Sequence, residues 1–127
     1  MAAVEAMWRH GMVSRTAGQL LSIEDPAELI EGVARLLQML QNHFRAEEKE
    51  GGLFERILAG TPRTRDALDQ LCREHRELIR DLADLHAGLI AETTGTADAH
   101  WVLKSVFTRL EHHERVEVAM SVTSVQR

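Results

Sequence analysis

Residues 66–89 read DALDQLCREHRELIRDLADLHAGL. Leu68, Leu71, Leu78, Leu82, Leu85 and Leu89 recur at alternating steps of three and four, and His75 fills the one gap. That period belongs to a helix burying a single stripe, and a strand cannot satisfy it. A buried stripe needs facing stripes from other helices. Three further segments supply them. One carries Leu29, Val33, Leu36, Leu40, His43, Glu47 and, further on, Phe54; another carries Leu103, Val106, Leu110, His113, Glu117 and Met120. A weaker one carries Ala6, His10, Val13, Ala17 and Leu20.

Turn signals divide these segments. Asp25-Pro26 reads as an N-cap followed by proline at the first helical position, and Thr61-Pro62 repeats the signal. Gly60 suits a helix stop, and residues 93–96 (TTGT) read as a turn, with Thr96 or Asp98 available to cap the last helix. The expected helices span about residues 2–22, 26–59, 62–92 and 98–120. Gly51-Gly52 is expected to kink or interrupt the second. Short connections favour antiparallel neighbours, so the expected fold is all-α: an antiparallel up-down-up-down four-helix bundle over residues 1–120 with a fraying tail at 121–127.

The composition fits one domain. The chain has 127 residues, 44% apolar, with 15 Lys+Arg against 20 Asp+Glu and a net charge of −5. This supports a real core and argues against a nucleic-acid partner, which calls for a basic face. No apolar run nears the ~20 residues that span a bilayer, so no membrane partner is expected. The opening MAAVEAMWRHG lacks the features of a secretory signal, and no appended signalling or DNA-binding domain is legible. Cys72 is the single cysteine and suits the reducing cytoplasm, where this chain is expected to reside.

Seven His against no Tyr is the unusual count. One His on an apolar face is ordinarily a packed core residue. Here each of the four seams carries one: His10, His43, His75 and His113. On two seams a Glu follows one turn later, Glu47 and Glu117, so imidazole and carboxylate converge on one helix face. A buried carboxylate must be paired or bind a metal, and no Lys or Arg lies on these seams. At ~1.5 Å rise per residue, the helix offsets bring the four His within roughly 5–8 Å of one level. Such a layer has the span of a two-metal site, with metals ~3.5–4 Å apart. Imidazole with added carboxylate favours iron or manganese, and the set is too rich for one tetrahedral zinc.

The remaining candidates read as ordinary. His86 falls on a flank, His100 in an exposed first turn, and His112 about 100° away from His113. Cys72 reads as a small core residue. Glu48 and Glu50 read as a charged outer face, and Arg73, Arg76 and Arg80 with Glu74 and Glu77 as a salt-bridged surface.

The segments HFRAEEKEGGLFERIL (43–58), REHRELIRDLADL (73–85) and LEHHERVE (110–117) resemble the hemerythrin-like, or HHE cation-binding, family. The resemblance implies a four-helix bundle around a non-haem centre of two iron ions, with room for an oxo bridge. His10, His43, His75 and His113 would be terminal ligands, and Glu47 and Glu117 would bridge. Zinc or manganese could substitute. The oxygen carriers of this family place a second His one turn after the third-helix His, where this chain has Ile79. They also carry Asp a residue beyond the position of Glu117. These departures point away from reversible oxygen storage and toward the broader branch.

The expected function is binding or sensing of dioxygen, nitric oxide or peroxide at the metals, without a catalytic residue in evidence. A homodimer is compatible with the bundle. Two other readings stand beside it: a di-iron enzyme with peroxidase- or oxidase-like activity, and a metal-free helical interaction protein. With no Tyr, the site has no tyrosinate ligand and no Tyr radical to offer.

Overall fold

In the computed structural model, residues 11–13 and 15–125 are described, with side chains as far as Ser121. Helix α1 covers the helical residues 11–13 and 15–20. It is followed by α2 (Pro26–Glu48), α3 (Leu53–Gly60), a single 3-10 turn (Pro62–Thr64), α4 (Arg65–Ile90) and α5 (Thr96–Val125). No strand occurs among the described residues. The long helices pack as a helical bundle, α4 lying against both α2 and α5. No helix of the described residues is long and apolar enough to cross a membrane.

Local chemistry sets the boundaries. Asp25 caps α2 as expected: its side chain accepts from the Glu28 N–H at 3.0 Å, and Pro26 fills the first turn. Thr61 behaves differently from the expected cap. Its hydroxyl makes no capping bond, and its N–H donates to the Ile57 carbonyl, closing α3. Its carbonyl accepts from the Thr64 N–H at 3.0 Å, so Pro62 opens a 3-10 turn, and α4 proper begins at Arg65 rather than at residue 62. At the other end of the chain, α5 runs through Val125, past the expected stop at residue 120.

The glycine pair does interrupt the second expected helix, dividing it into α2 and α3. Gly51 has φ of +76°, in the left-handed region. A Cβ on Gly52 would lie 2.5 Å from the Ala46 carbonyl oxygen, 2.7 Å from that of Glu47 and 2.8 Å from that of Lys49. Only glycine lets the chain fold back this tightly over the end of α2.

The seams are buried as the period requires. Leu68, Leu71, His75, Leu78, Leu82, Leu85 and Leu89 are all buried on α4. Leu29, Val33, Leu36, Leu40, His43 and Glu47 are buried on α2, and Val13, Ala17 and Leu20 on α1. Each fully buried Leu stabilises the fold by about 1.5–3 kcal/mol. Ala6 and His10 lie outside the described residues. Met120, expected on the α5 seam, is only half-buried.

The apolar residues form two clusters. The larger joins α1, α2, α4 and α5, from Val13 and Leu29 to Phe44, Leu78 and Leu110. The smaller joins Leu53, Phe54 and Ile57 of α3 to Leu68 and Leu71 of α4. His100, expected to be exposed, is half-buried, and its Nε2–H donates to the Ile23 carbonyl at 2.7 Å. It thereby ties the first turn of α5 to the α1–α2 connection.

Candidate metal centre

Between the two clusters lies a buried polar layer. His75 sits on α4 between Leu71 and Leu78, and His113 on α5 just after Leu110. His43 and Glu47 occupy the last two turns of α2, and Glu117 follows His113 by one turn. All five are buried, with His113 at 1% and His75 at 2% exposure.

Four of them converge. His75, His113, Glu47 and Glu117 each offer a ligand atom, and these atoms lie within 4.8 Å of one another. The Nε2 atoms of His75 and His113 are 2.9 Å apart. Glu117 Oε2 lies 2.5 Å from His113 Nε2 and 3.7 Å from His75 Nε2. Glu47 is used at both ends: Oε1 is 3.3 Å from His75 Nε2, and Oε2 is 3.2 Å from His43 Nε2. The structure thus brings together five of the six residues singled out from the sequence. The sixth, His10, lies outside the described residues.

The rear faces of the two central imidazoles are also held. His75 Nδ1–H donates to Glu48 Oε2 at 2.7 Å, and His113 Nδ1–H donates to Glu74 Oε1 at 3.0 Å. A carboxylate only accepts, so each Nδ1 carries the hydrogen and each Nε2 presents its lone pair to the layer. This is the arrangement that orients a metal-binding imidazole and raises its basicity. Phe44 stacks on His75 with ring centroids 3.7 Å apart and 5° between planes, and Phe54 covers it at 5.3 Å. The imidazole therefore has little freedom to rotate.

Glu48 is exposed, as expected of a charged outer face, and Glu74 is half-buried, but each carboxylate also reaches inward to an imidazole, a role the sequence reading did not assign. Each lies next to a seam residue, Glu47 or His75, so it points about 100° round from the seam. That angle puts its carboxylate behind an imidazole of the neighbouring helix. A carboxylate flanking a seam His or Glu was the available signal, and the Arg residues around it disguised it as an ion-pair surface. Glu50 is exposed as well, as expected.

The donor chemistry fits a cation. Burial first, then the neighbouring Glu47, pushes the Glu117 carboxyl up to about 12. Two carboxyl groups buried this closely cannot both be charged unless positive charge joins them. Two imidazole lone pairs facing across 2.9 Å pose the same demand. Cis donors on a metal with ~2.0–2.1 Å bonds to nitrogen stand ~3 Å apart, close to the observed separation. The hard and borderline O/N set suits a divalent transition metal.

A model of the hemerythrin HHE cation-binding domain matches residues 6–118. Comparisons with curated proteins and with solved structures return no match. The match covers both His-x-x-x-Glu turns, His75 of α4 and every described member of the polar layer. This chain belongs to the hemerythrin HHE cation-binding domain family.

Proposed function

We propose that the chain is a non-haem di-iron protein that binds or senses dioxygen, nitric oxide or peroxide. In this reading His10, His43, His75 and His113 would be terminal ligands, and Glu47 and Glu117 would bridge. One observation carries it: the two oxygens of Glu47 turn to different imidazoles, Oε2 to His43 and Oε1 to His75. A carboxylate divided in this way is suited to bridging two ions. The short connections between the helices support an antiparallel up-down-up-down order, which would bring the four His to one level.

When bound, the irons would supply exchangeable coordination positions and one-electron chemistry. The chain's own contribution is to fix the donors. Glu48 and Glu74 hold the imidazole tautomers, Phe44 and Phe54 stack on the His75 ring, and Ile79 offers no further nitrogen beside His75. A lone Cys72, with no partner for an internal disulfide, supports a cytoplasmic setting.

Purification in air followed by metal analysis and optical spectroscopy tests the reading. About two irons per chain, with a visible band that shifts on exposure to nitric oxide, is the expected result. A colourless protein without metal, whose stability ignores His43→Ala and His113→Ala, would sink it. Sustained turnover of peroxide would move the chain to the enzyme reading.

A further inference from the structure

A cleft of about 600 Å3 lies between α2 and α4, with His75 among its lining residues. That volume is in the range of small-molecule pockets. Its floor is apolar: Phe44 is buried and Ile79 half-buried. Its walls are cationic. Arg45 in the last turn of α2 and Lys49 just beyond its end form one wall, and Arg76 and Arg80, one turn apart on α4, form the other. All four are exposed. Among the described residues no ion pair engages Arg45, Lys49 or Arg76, and Arg80 reaches only its neighbour Asp81, at 3.7 Å.

This charge runs against the rest of the molecule. The chain carries a net −5, yet four cations here meet one carboxylate, Glu48. That carboxylate is committed to His75 Nδ1 at 2.7 Å. A neutral apolar ligand would leave the arginines without use, and an inorganic anion would leave the floor without use. Nucleic acid needs a longer basic stripe than two turns of two helices provide.

We propose that this cleft binds a small organic anion with an apolar body, its acid group held by the arginines of the two walls and its body laid on Phe44 and Ile79. Guanidinium groups match carboxylate and phosphate geometry, so either acid group satisfies the walls. The bound body would rest against Phe44, whose ring stacks on His75. The site needs no metal.

Isothermal titration calorimetry on the full chain tests this, with metal content measured on the same samples so that loss of the metal centre is scored separately. The probes are phenylbutyrate, phenyl phosphate, phenylbutanol and inorganic phosphate. At least one of the two organic acids is expected to bind once per chain, ~10-fold or more tighter than the alcohol and inorganic phosphate. Arg45→Glu and Arg76→Glu should each weaken it by ~10-fold or more, and Arg63→Glu, away from the cleft, should leave it unchanged. Should either charge reversal lower the helical circular dichroism, Arg45→Gln and Arg76→Gln replace it, with the same direction expected. Absence of binding at about 1 mM, the weak end of specific affinity, overturns the proposal. So does equal binding of the alcohol, indifference to both arginines, or tighter binding of a polyglutamate peptide than of either small acid.

Discussion

Glu48 Oε2 accepts a hydrogen bond from His75 Nδ1–H at 2.7 Å, joining α2 to α4 behind the donor layer. Glu74 does the same for His113 at 3.0 Å. Glu48→Ala and Glu74→Ala should each lower metal affinity by ~10–100-fold, measured by competition with a chromophoric chelator. Glu48→Gln retains an acceptor oxygen and should lose less. Equal affinity in all variants would remove both carboxylates from the site.

Metal should stabilise the fold in proportion to its concentration. At 100 times its dissociation constant, a bound ion adds about 2.7 kcal/mol. For a domain of this size that is ~10 °C in Tm. Thermal melts with chelator and with added iron(II), zinc or manganese check it. His113→Ala should reduce the shift to a small fraction of this.

The pH dependence stems from Glu117, whose carboxyl rises from the ordinary 4.5 to about 12 through burial and the nearness of Glu47. Its pKa is higher folded than unfolded, so protonation stabilises the metal-free fold. That contribution is complete below about 4.5 and drains away as the pH climbs toward 12. A cation must displace the proton, so apparent metal affinity moves the opposite way, gaining up to ~tenfold per pH unit for each proton released. Zinc titrations between about pH 6 and pH 8 should show this slope, and Glu117→Gln should flatten it.

Cys72 should react slowly. Burial first, then the adjacent Glu48, pushes its thiol up to about 11. Thiolate is scarce at neutral pH, so alkylation by iodoacetamide should be slow there and accelerate ~tenfold per pH unit until near that value. Glu48→Gln removes the neighbouring negative charge and should speed the reaction. Fast labelling of the native chain at neutral pH would contradict this.

The turn at Gly52 can be probed by one methyl group. Gly52→Ala drives a Cβ into three backbone carbonyls and should cost at least ~2 kcal/mol in urea unfolding. Because Glu47 is among those carbonyls' residues, metal binding should weaken as well. Gly95→Ala, which meets nothing within 4 Å, should change stability by less than ~0.5 kcal/mol.

Period alone carried the reading a long way. The step of three and four on α4 identified all seven of its buried residues, because one face of a helix is fixed by arithmetic. The same period put His43, Glu47, His75, His113 and Glu117 on buried faces without reference to their chemistry. What it missed depends on neighbouring helices. Glu48 and His75 lie 27 residues apart, and only the packing of α2 on α4 sets them face to face. His100 meets the Ile23 carbonyl 77 residues away for the same kind of reason. The delayed start of α4 had a local cause: the Thr64 N–H and hydroxyl both donate to the Thr61 carbonyl, at 3.0 and 2.6 Å, closing a 3-10 turn ahead of the helix.

The two apolar clusters have a thermodynamic consequence. Each shields its own helices from water, and a layer of buried acids and imidazoles separates them. Apolar contact is what normally makes such parts melt together, and across this layer it is thin. Without an ion, the α3 end would be expected to open as a unit of its own while the larger cluster stays shut. With an ion held by donors from α2, α4 and α5, the two compartments would be expected to share one unfolding transition. The centre would then set the cooperativity of the molecule as well as its chemistry.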